Sequence, residues 1–106
     1  MPTDELFAHI VSTEELLTAT GDAAWLTALL DTESALARAQ AAAGIIPAAA
    51  AVAIAAACQA GEIEAAAIGR AARAGGNPVI PLVRWLSERV GPAGSEWVHW
   101  GATSQD

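Results

Sequence analysis

The sequence predicts an all-α fold, and three observations carry that expectation. Apolar residues recur at helical spacing, and no stretch of any length shows the alternation a half-buried strand needs. Alanine, the strongest helix former, dominates the middle of the chain. Glycines and prolines near Gly21, Gly44, Gly61, Gly75-Gly76 and Gly91-Pro92 divide it into about five helices, with no internal repeat.

Met1 to Val11 reads as a short arm in which Leu6, Phe7 and Ile10 suit packing onto a neighbour. His9 in that arm reads as a surface or packing residue. No partner histidine or carboxylate pair stands at metal-ligand spacing from it, and no metal motif occurs in the chain. Ser12-Thr13-Glu14-Glu15 has the form of a capping box, with Ser12 as N-cap and Glu15 three residues on. A short helix to about Thr20 follows, closed by Gly21.

Asp22 is placed to cap a long helix to about Ala43, with an apolar stripe of Leu26, Leu29, Leu30, Leu36 and Ala37. Glu33 falls inside that stripe. The simpler reading pairs it with Arg38 or turns it to solvent at the stripe's edge. The sharper one buries it in an ion pair with another part of the protein, which needs a partner absent from these residues.

Gly44 ends this helix, and Pro47 opens the next in its first turn. That helix runs through alanines, with Val52 and Ile54, to about Ala60. After Gly61, Glu62 and Glu64 begin a helix to about Ala74, and Arg70 and Arg73 near its end complement the helix dipole. At the break that follows, Asn77 is a plausible N-cap and Pro78 a first-turn residue. A last helix to about Val90 turns Val79, Leu82, Val83 and Leu86 inward. Gly91-Pro92-Ala93-Gly94 then delivers the tail.

Bulk composition narrows the function. The chain has 106 residues, enough for one small domain, of which 54% are hydrophobic and 16% charged. That excess of apolar residues predicts burial against a surface outside the chain. A formal charge of −7 excludes the basic footprint of a nucleic-acid binder. It does not favour an anionic substrate either, so a carboxylate site has to be built locally from N–H groups, hydroxyls and a few arginines.

The uncharged run from Ala39 to Gly61 is long enough to raise a membrane span. Its alanines gain little from lipid, and Gly44 and Pro47 interrupt it, so helix–helix packing explains it better. The N-terminus lacks a basic region followed by an apolar run, so a cytoplasmic protein without a membrane segment is expected. Cys58 is the single cysteine and reads as a buried small apolar residue.

Chemistry concentrates in Trp97-Val98-His99-Trp100-Gly101-Ala102-Thr103-Ser104-Gln105-Asp106, where an imidazole, two hydroxyls, a carboxamide and a carboxylate follow one another. Gly101 permits a turn between the histidine and the hydroxyls. Thr103 and Ser104 are good N-cap residues, and Gln105 and Asp106 suit a first helical turn. The free N–H groups of such a turn suit an anion. Trp85, Trp97 and Trp100 read as a packing cluster, or, for Trp100, as a wall of the ligand site. From residue types alone, an ordinary capped segment with a surface histidine is the competing reading.

The order His99-Trp100-Gly101-Ala102-Thr103-Ser104-Gln105-Asp106 resembles the first active-site motif of the fumarase/aspartase superfamily. Leu30 to Gln40, followed by Gly44-Ile45-Ile46-Pro47, resembles that family's early helix and the turn after it. Gly76-Asn77-Pro78-Val79-Ile80-Pro81-Leu82-Val83 resembles the corresponding segment of its bacterial 3-carboxy-cis,cis-muconate cycloisomerases.

The resemblance, spanning roughly Leu6 to Asp106, implies the N-terminal helical domain of an all-α homotetramer whose active sites combine motifs from three subunits. It implies carbanion-type acid/base chemistry without a cofactor on a small di- or tricarboxylate, within the catabolism of aromatic compounds through protocatechuate and β-ketoadipate. His99 is then the catalytic candidate, and Thr103, Ser104, Gln105, Asn77 and Trp100 are substrate-binding candidates; no residue is assigned to a metal. The family's second motif, with its histidine, and its mobile glycine-serine-rich third motif have no counterpart in these residues. The chain alone is therefore expected to be inactive. An adenylosuccinate lyase-like or other superfamily lyase is the alternative, and a non-catalytic helical interaction module is a further one.

Overall fold

The computed structural model describes residues 5–106, so residues 1–4 of the expected arm lie outside the described residues. The described residues contain α1 (Glu5–Val11), α2 (Glu14–Ala19), α3 (Asp22–Ala42), α4 (Ala48–Gln59), α5 (Ala65–Ala72) and α6 (Val79–Val90). Short 3₁₀ turns follow at Gly91–Ala93 and Ser95–Trp97. No strand occurs among the described residues. The five expected helices are present, and the arm forms one more.

α3 and α4 form an αα-hairpin, and α6 lies across α4 and α5. Leu26, Leu30 and Ala37 of α3 meet Ala51, Ile54 and Ala57 of α4, with Ile46, Ile68, Leu82, Leu86 and Val98 completing the core. The buried positions of α4, Ala50, Ala51, Ile54 and Ala57, recur at helical spacing, so its alanines let α3 approach closely while Ile54 supplies most of the buried area. Of the four residues expected to face inward on α6, Leu82 and Leu86 are fully buried, and Val79 and Val83 are half-buried.

Gly94 carries the tail back onto this core. A Cβ there would stand 3.1 Å from the Ala50 carbonyl oxygen and 3.2 Å from Val90 Cγ1, so only glycine lets the backbone rest directly on α4.

Several helix ends differ from expectation. Thr13, not Ser12, caps α2: its Oγ1 accepts from Leu16 N at 3.2 Å. Ser12 is drawn into the end of α1, where its N–H donates to the Ala8 carbonyl at 3.0 Å. With the cap moved one residue on, Leu16 occupies the third helical position, and the reciprocal carboxylate of a capping box is lost.

Gly21 caps α3, which leaves Asp22 in its first turn, and Pro47 precedes α4 rather than entering it. α5 is shorter than its pattern suggested. Glu62 is held by Arg89, Nη1 to Oε2 3.0 Å, and Glu64 closes the helix start through its backbone carbonyl. Asn77 does cap α6, its Oδ1 accepting from Val79 N at 3.0 Å and Ile80 N at 3.4 Å.

His9 is exposed, with its Nδ1 2.9 Å from Glu14 Oε1. Leu6, Phe7, Ile10, Val11, Leu16 and Trp25 stand exposed towards the N-terminal side, and Trp100 is also exposed. Exposed large apolar residues are thus most numerous on α1, whereas α3 and the tail contribute Trp25 and Trp100. No helix among the described residues is long and apolar enough to cross a membrane.

Cys58 is half-buried on α4, and its thiol is pushed up to about 11, first by burial and then by the negative charges of Glu33 and Asp31. Only the thiolate reacts with alkylating reagents. At pH 8, alkylation of Cys58 in the folded chain is therefore expected to be roughly 10²-fold slower than in the denatured chain. Because the folded-state value is raised, the contribution of this group to stability is complete below about pH 9 and is lost as pH rises towards 11. Mass spectrometry after timed iodoacetamide treatment checks the first expectation. Equal rates in the folded and denatured chain would contradict the burial of this thiol.

Candidate functional site

The site is built where the tail crosses α3. Val98 is buried in the core and anchors the segment. The next four residues form a turn closed by Ala102 N–H donating to the His99 carbonyl at 3.1 Å. Gly101, at φ 71°, occupies the turn position that demands a left-handed backbone. His99 is itself left-handed, at φ 57°, a conformation disfavoured for a residue with a side chain and held only where the surroundings impose it.

Two side chains of α3 impose it. Gln40 Nε2 donates to the Trp100 carbonyl at 2.6 Å, and Glu33 Oε1 lies 2.5 Å from His99 Nδ1. Glu33 and Gln40 are two helical turns apart, so they share one face of α3 and grip the turn at two points. Glu33 is only 6% exposed. Its partner is neither solvent nor Arg38, as the simpler sequence reading had it. Glu33 is buried against a partner, as the sharper reading had it, but that partner is His99 of the same chain and not a group outside it.

Beyond the turn, Thr103 and Asp106 form a reciprocal cap. Asp106 Oδ2 accepts from Thr103 N at 2.8 Å, while Thr103 Oγ1 accepts from Gln105 N at 3.3 Å. Asp106 N donates to the Thr103 carbonyl at 3.1 Å. The segment is a capped turn, and the described residues do not continue it into the expected helix. The N–H groups of Thr103, Gln105 and Asp106 are spent within the turn, so they are not the free anion donors that the sequence suggested.

A cavity of about 350 Å³ opens between α3, the start of α6 and this tail. His99, Trp100, Thr103 and Ser104 all line it, together with Glu33 and Gln40. Four of the six candidate site residues thus converge. Asn77 and Gln105 do not line the cavity; Asn77 is occupied at the start of α6, and Gln105 is exposed.

None of the five basic residues of the chain lines it either, whereas Glu33 and Asp106 do. The local arginines expected around a carboxylate are absent from this wall. Glu33 Oε2 and Gln40 Oε1 are buried and have no hydrogen-bond partner among the described residues. The described residues bring no three potential metal ligands together.

Trp97 and Trp100 pack with ring centroids 4.7 Å apart at 58°, which braces the turn from outside. Trp85 is not part of that pair; Arg89 lies 5.3 Å over its ring.

Glu33 and Gln40 escaped the sequence reading as site residues. The signal for Glu33 was present, a carboxylate inside an apolar stripe. Gln40 carried none, because a glutamine near a helix end is ordinary.

No protein-family model matches the chain. It is 47% identical over 104 residues to the 3-carboxy-cis,cis-muconate cycloisomerase of Bradyrhizobium diazoefficiens, covering 95% of this chain and 23% of that protein. It is 45% identical over 91 residues to the nitrosuccinate lyase of Streptomyces davaonensis, covering 83% and 19% respectively. The crystal structure of the 3-carboxy-cis,cis-muconate lactonizing enzyme from Pseudomonas putida matches with a TM-score of 0.88 at 39% identity, over 96% of this chain and 24% of that one. The chain spans about a quarter of the length of these relatives.

Helical architecture and aligned sequence together define a class: the chain belongs to the fumarase/aspartase superfamily and has the fold of the N-terminal region of its enzymes. Within that superfamily it is a homologue of the 3-carboxy-cis,cis-muconate cycloisomerases.

Proposed function

We propose that these residues form the N-terminal helical domain of a 3-carboxy-cis,cis-muconate cycloisomerase and supply one of the motifs of its active site. The observation that carries this reading is the convergence of His99, Thr103 and Ser104 on one cavity, with the imidazole held by a buried carboxylate.

In the proposed reaction, a carboxylate oxygen of the muconate adds across a double bond and closes a lactone. A proton is delivered to the carbon alpha to another carboxylate. Both changes are proton transfer and intramolecular addition, so the chain needs an acid/base group and donors fixed around carboxylates, and no cofactor. Glu33 occupies Nδ1 of His99, which leaves Nε2 to exchange a proton or to donate to a substrate carboxylate. The hydroxyls of Thr103 and Ser104 supply donors, and Trp100 forms an apolar wall. The cavity wall here is acidic, so the positive charge that balances a tricarboxylate comes from groups beyond these residues. Homotetrameric assembly, as in the family, brings such groups to the site.

The 45% identity to a nitrosuccinate lyase favours a second reading, a lyase acting on a substituted succinate through the same imidazole and hydroxyls. A chimera separates the two. These residues replace the aligned 104-residue stretch of the Bradyrhizobium diazoefficiens cycloisomerase, and purified chimera is assayed with 3-carboxy-cis,cis-muconate and with nitrosuccinate. Lactone formation within about tenfold of the parent kcat/KM supports the first reading, since a well-fitted transplant leaves the transition-state contacts unchanged. A folded chimera that turns over only nitrosuccinate would establish the second. The 106-residue chain alone is expected to show no turnover with either compound.

A further inference from the structure

We propose that Glu33 is a positioning residue that decides which nitrogen of His99 faces the cavity. The proposal deepens the functional reading above and rests on it for the kinetic consequence, but its structural content stands separately.

A carboxylate in the middle of an apolar stripe is costly to bury. Leucine would satisfy the stripe, and the neighbouring positions Leu30 and Ala37 are buried apolar residues. Glu33 is buried to the same degree, yet among the described residues it has a single side-chain partner, His99 Nδ1 at 2.5 Å, and its second oxygen has none. An arrangement selected for stability alone would satisfy both oxygens or dispense with the charge. One that holds an imidazole needs only the first oxygen.

The imidazole needs such a hold. It hangs from a left-handed residue at the corner of a turn, and a half-rotation of the ring puts Cδ2 in the place of Nδ1 and Cε1 in the place of Nε2. Gln40 fixes the backbone at Trp100, not the ring. Among the described residues, Glu33 is the one hydrogen-bonding contact to the ring, and it falls on Nδ1. By accepting a hydrogen bond from Nδ1–H it places the proton there and leaves the Nε2 lone pair to the cavity that His99 lines. This reverses the preference of a free neutral imidazole, which carries its proton mainly on Nε2. Arg38, the cation nearest along α3, is exposed and forms no salt bridge with Glu33.

Two measurements test this. The first is ¹⁵N NMR of the side chains in the labelled 106-residue chain above neutral pH. Free N-acetylhistidine methylamide at the same pH serves as reference, because the second histidine, His9, also has a carboxylate at its Nδ1. His99 is expected in the Nδ1–H form and the reference mainly in the Nε2–H form. In Glu33→Gln the Nδ1–H population of His99 is expected to fall, because the amide can also donate to Nδ1. A wild-type His99 in the Nε2–H form overturns the proposal whatever the enzyme does.

The second measurement is kinetic, in the chimera. Glu33→Gln is expected to lower kcat about 10- to 100-fold with KM within about threefold, and Glu33→Asp to recover part of the loss. Glu33→Leu is expected to lose activity while keeping or raising the melting temperature, an outcome a purely structural carboxylate does not give. Unchanged kcat in both Glu33→Gln and Glu33→Leu, or losses that follow melting temperature across the three variants, overturns the positioning role. A chimera inactive with its native Glu33 would instead count against the functional reading, while the NMR result still decides the role of Glu33.

Discussion

His99→Asn in the chimeric enzyme is expected to lower kcat by about 10²–10⁴-fold, equivalent to about 3–5 kcal/mol of transition-state stabilisation. Asparagine is the informative replacement. It is among the few residues that accept a left-handed backbone readily, so the φ of 57° survives the change. Its amide still offers Glu33 a donor, which limits the cost of leaving a buried carboxylate unpaired. What disappears is the nitrogen that exchanges a proton.

A fall in kcat with little change in KM assigns His99 to proton transfer. A loss confined to KM assigns it to holding a substrate carboxylate. A variant with wild-type kcat and KM would remove His99 from the machinery and with it the proposed role of this motif. Thermal unfolding of the variant, expected within a few degrees of the parent, guards against loss of fold as the cause.

Leu86→Ala is expected to destabilise the chain by about 2–5 kcal/mol, the range for deleting a fully buried leucine whose cavity only partly collapses. Leu86 is fully buried in α6 and takes no part in the cavity walls, so the effect reads packing and not the site. For a domain whose whole stability is of the order of 5–15 kcal/mol, that is a large fraction, and many degrees of melting temperature. Urea unfolding followed by circular dichroism measures it. Phe7→Ala on the exposed face of α1 serves as the contrast and is expected to change stability by less than about 0.5 kcal/mol. If Leu86→Ala cost no more than Phe7→Ala, the core described here would not be what holds the fold.

The division between what was legible in the chain and what was not follows the range of the interactions. Helices, breaks and the inward face of α6 were readable, because periodicity, alanine content, glycine and proline act over a few residues. The Asn77 cap, the Gly101 turn and the capping role of Thr103 were readable for the same reason. So was the placing of His99, Trp100, Thr103 and Ser104 around one cavity, since they lie within a single short segment.

Local competition already blurred some ends. Ser12 and Thr13 are equally good caps, and α1 claimed the first. The same competition spent the N–H groups of the last turn on Thr103 and Asp106 instead of a ligand.

The grip on His99 was not readable at all. Glu33 is 66 residues from His99 and Gln40 is 60 from Trp100. Whether a helical carboxylate finds Arg38, water or a distant imidazole depends on how the tail is laid across α3. That course is set by Gly94 resting on Ala50, by Val98 entering the core and by the depth at which α6 packs. A charge inside an apolar stripe announces that a partner exists. The partner's identity is a property of the packed chain, because a buried carboxylate is tolerated only where the packing brings a hydrogen-bond donor to it.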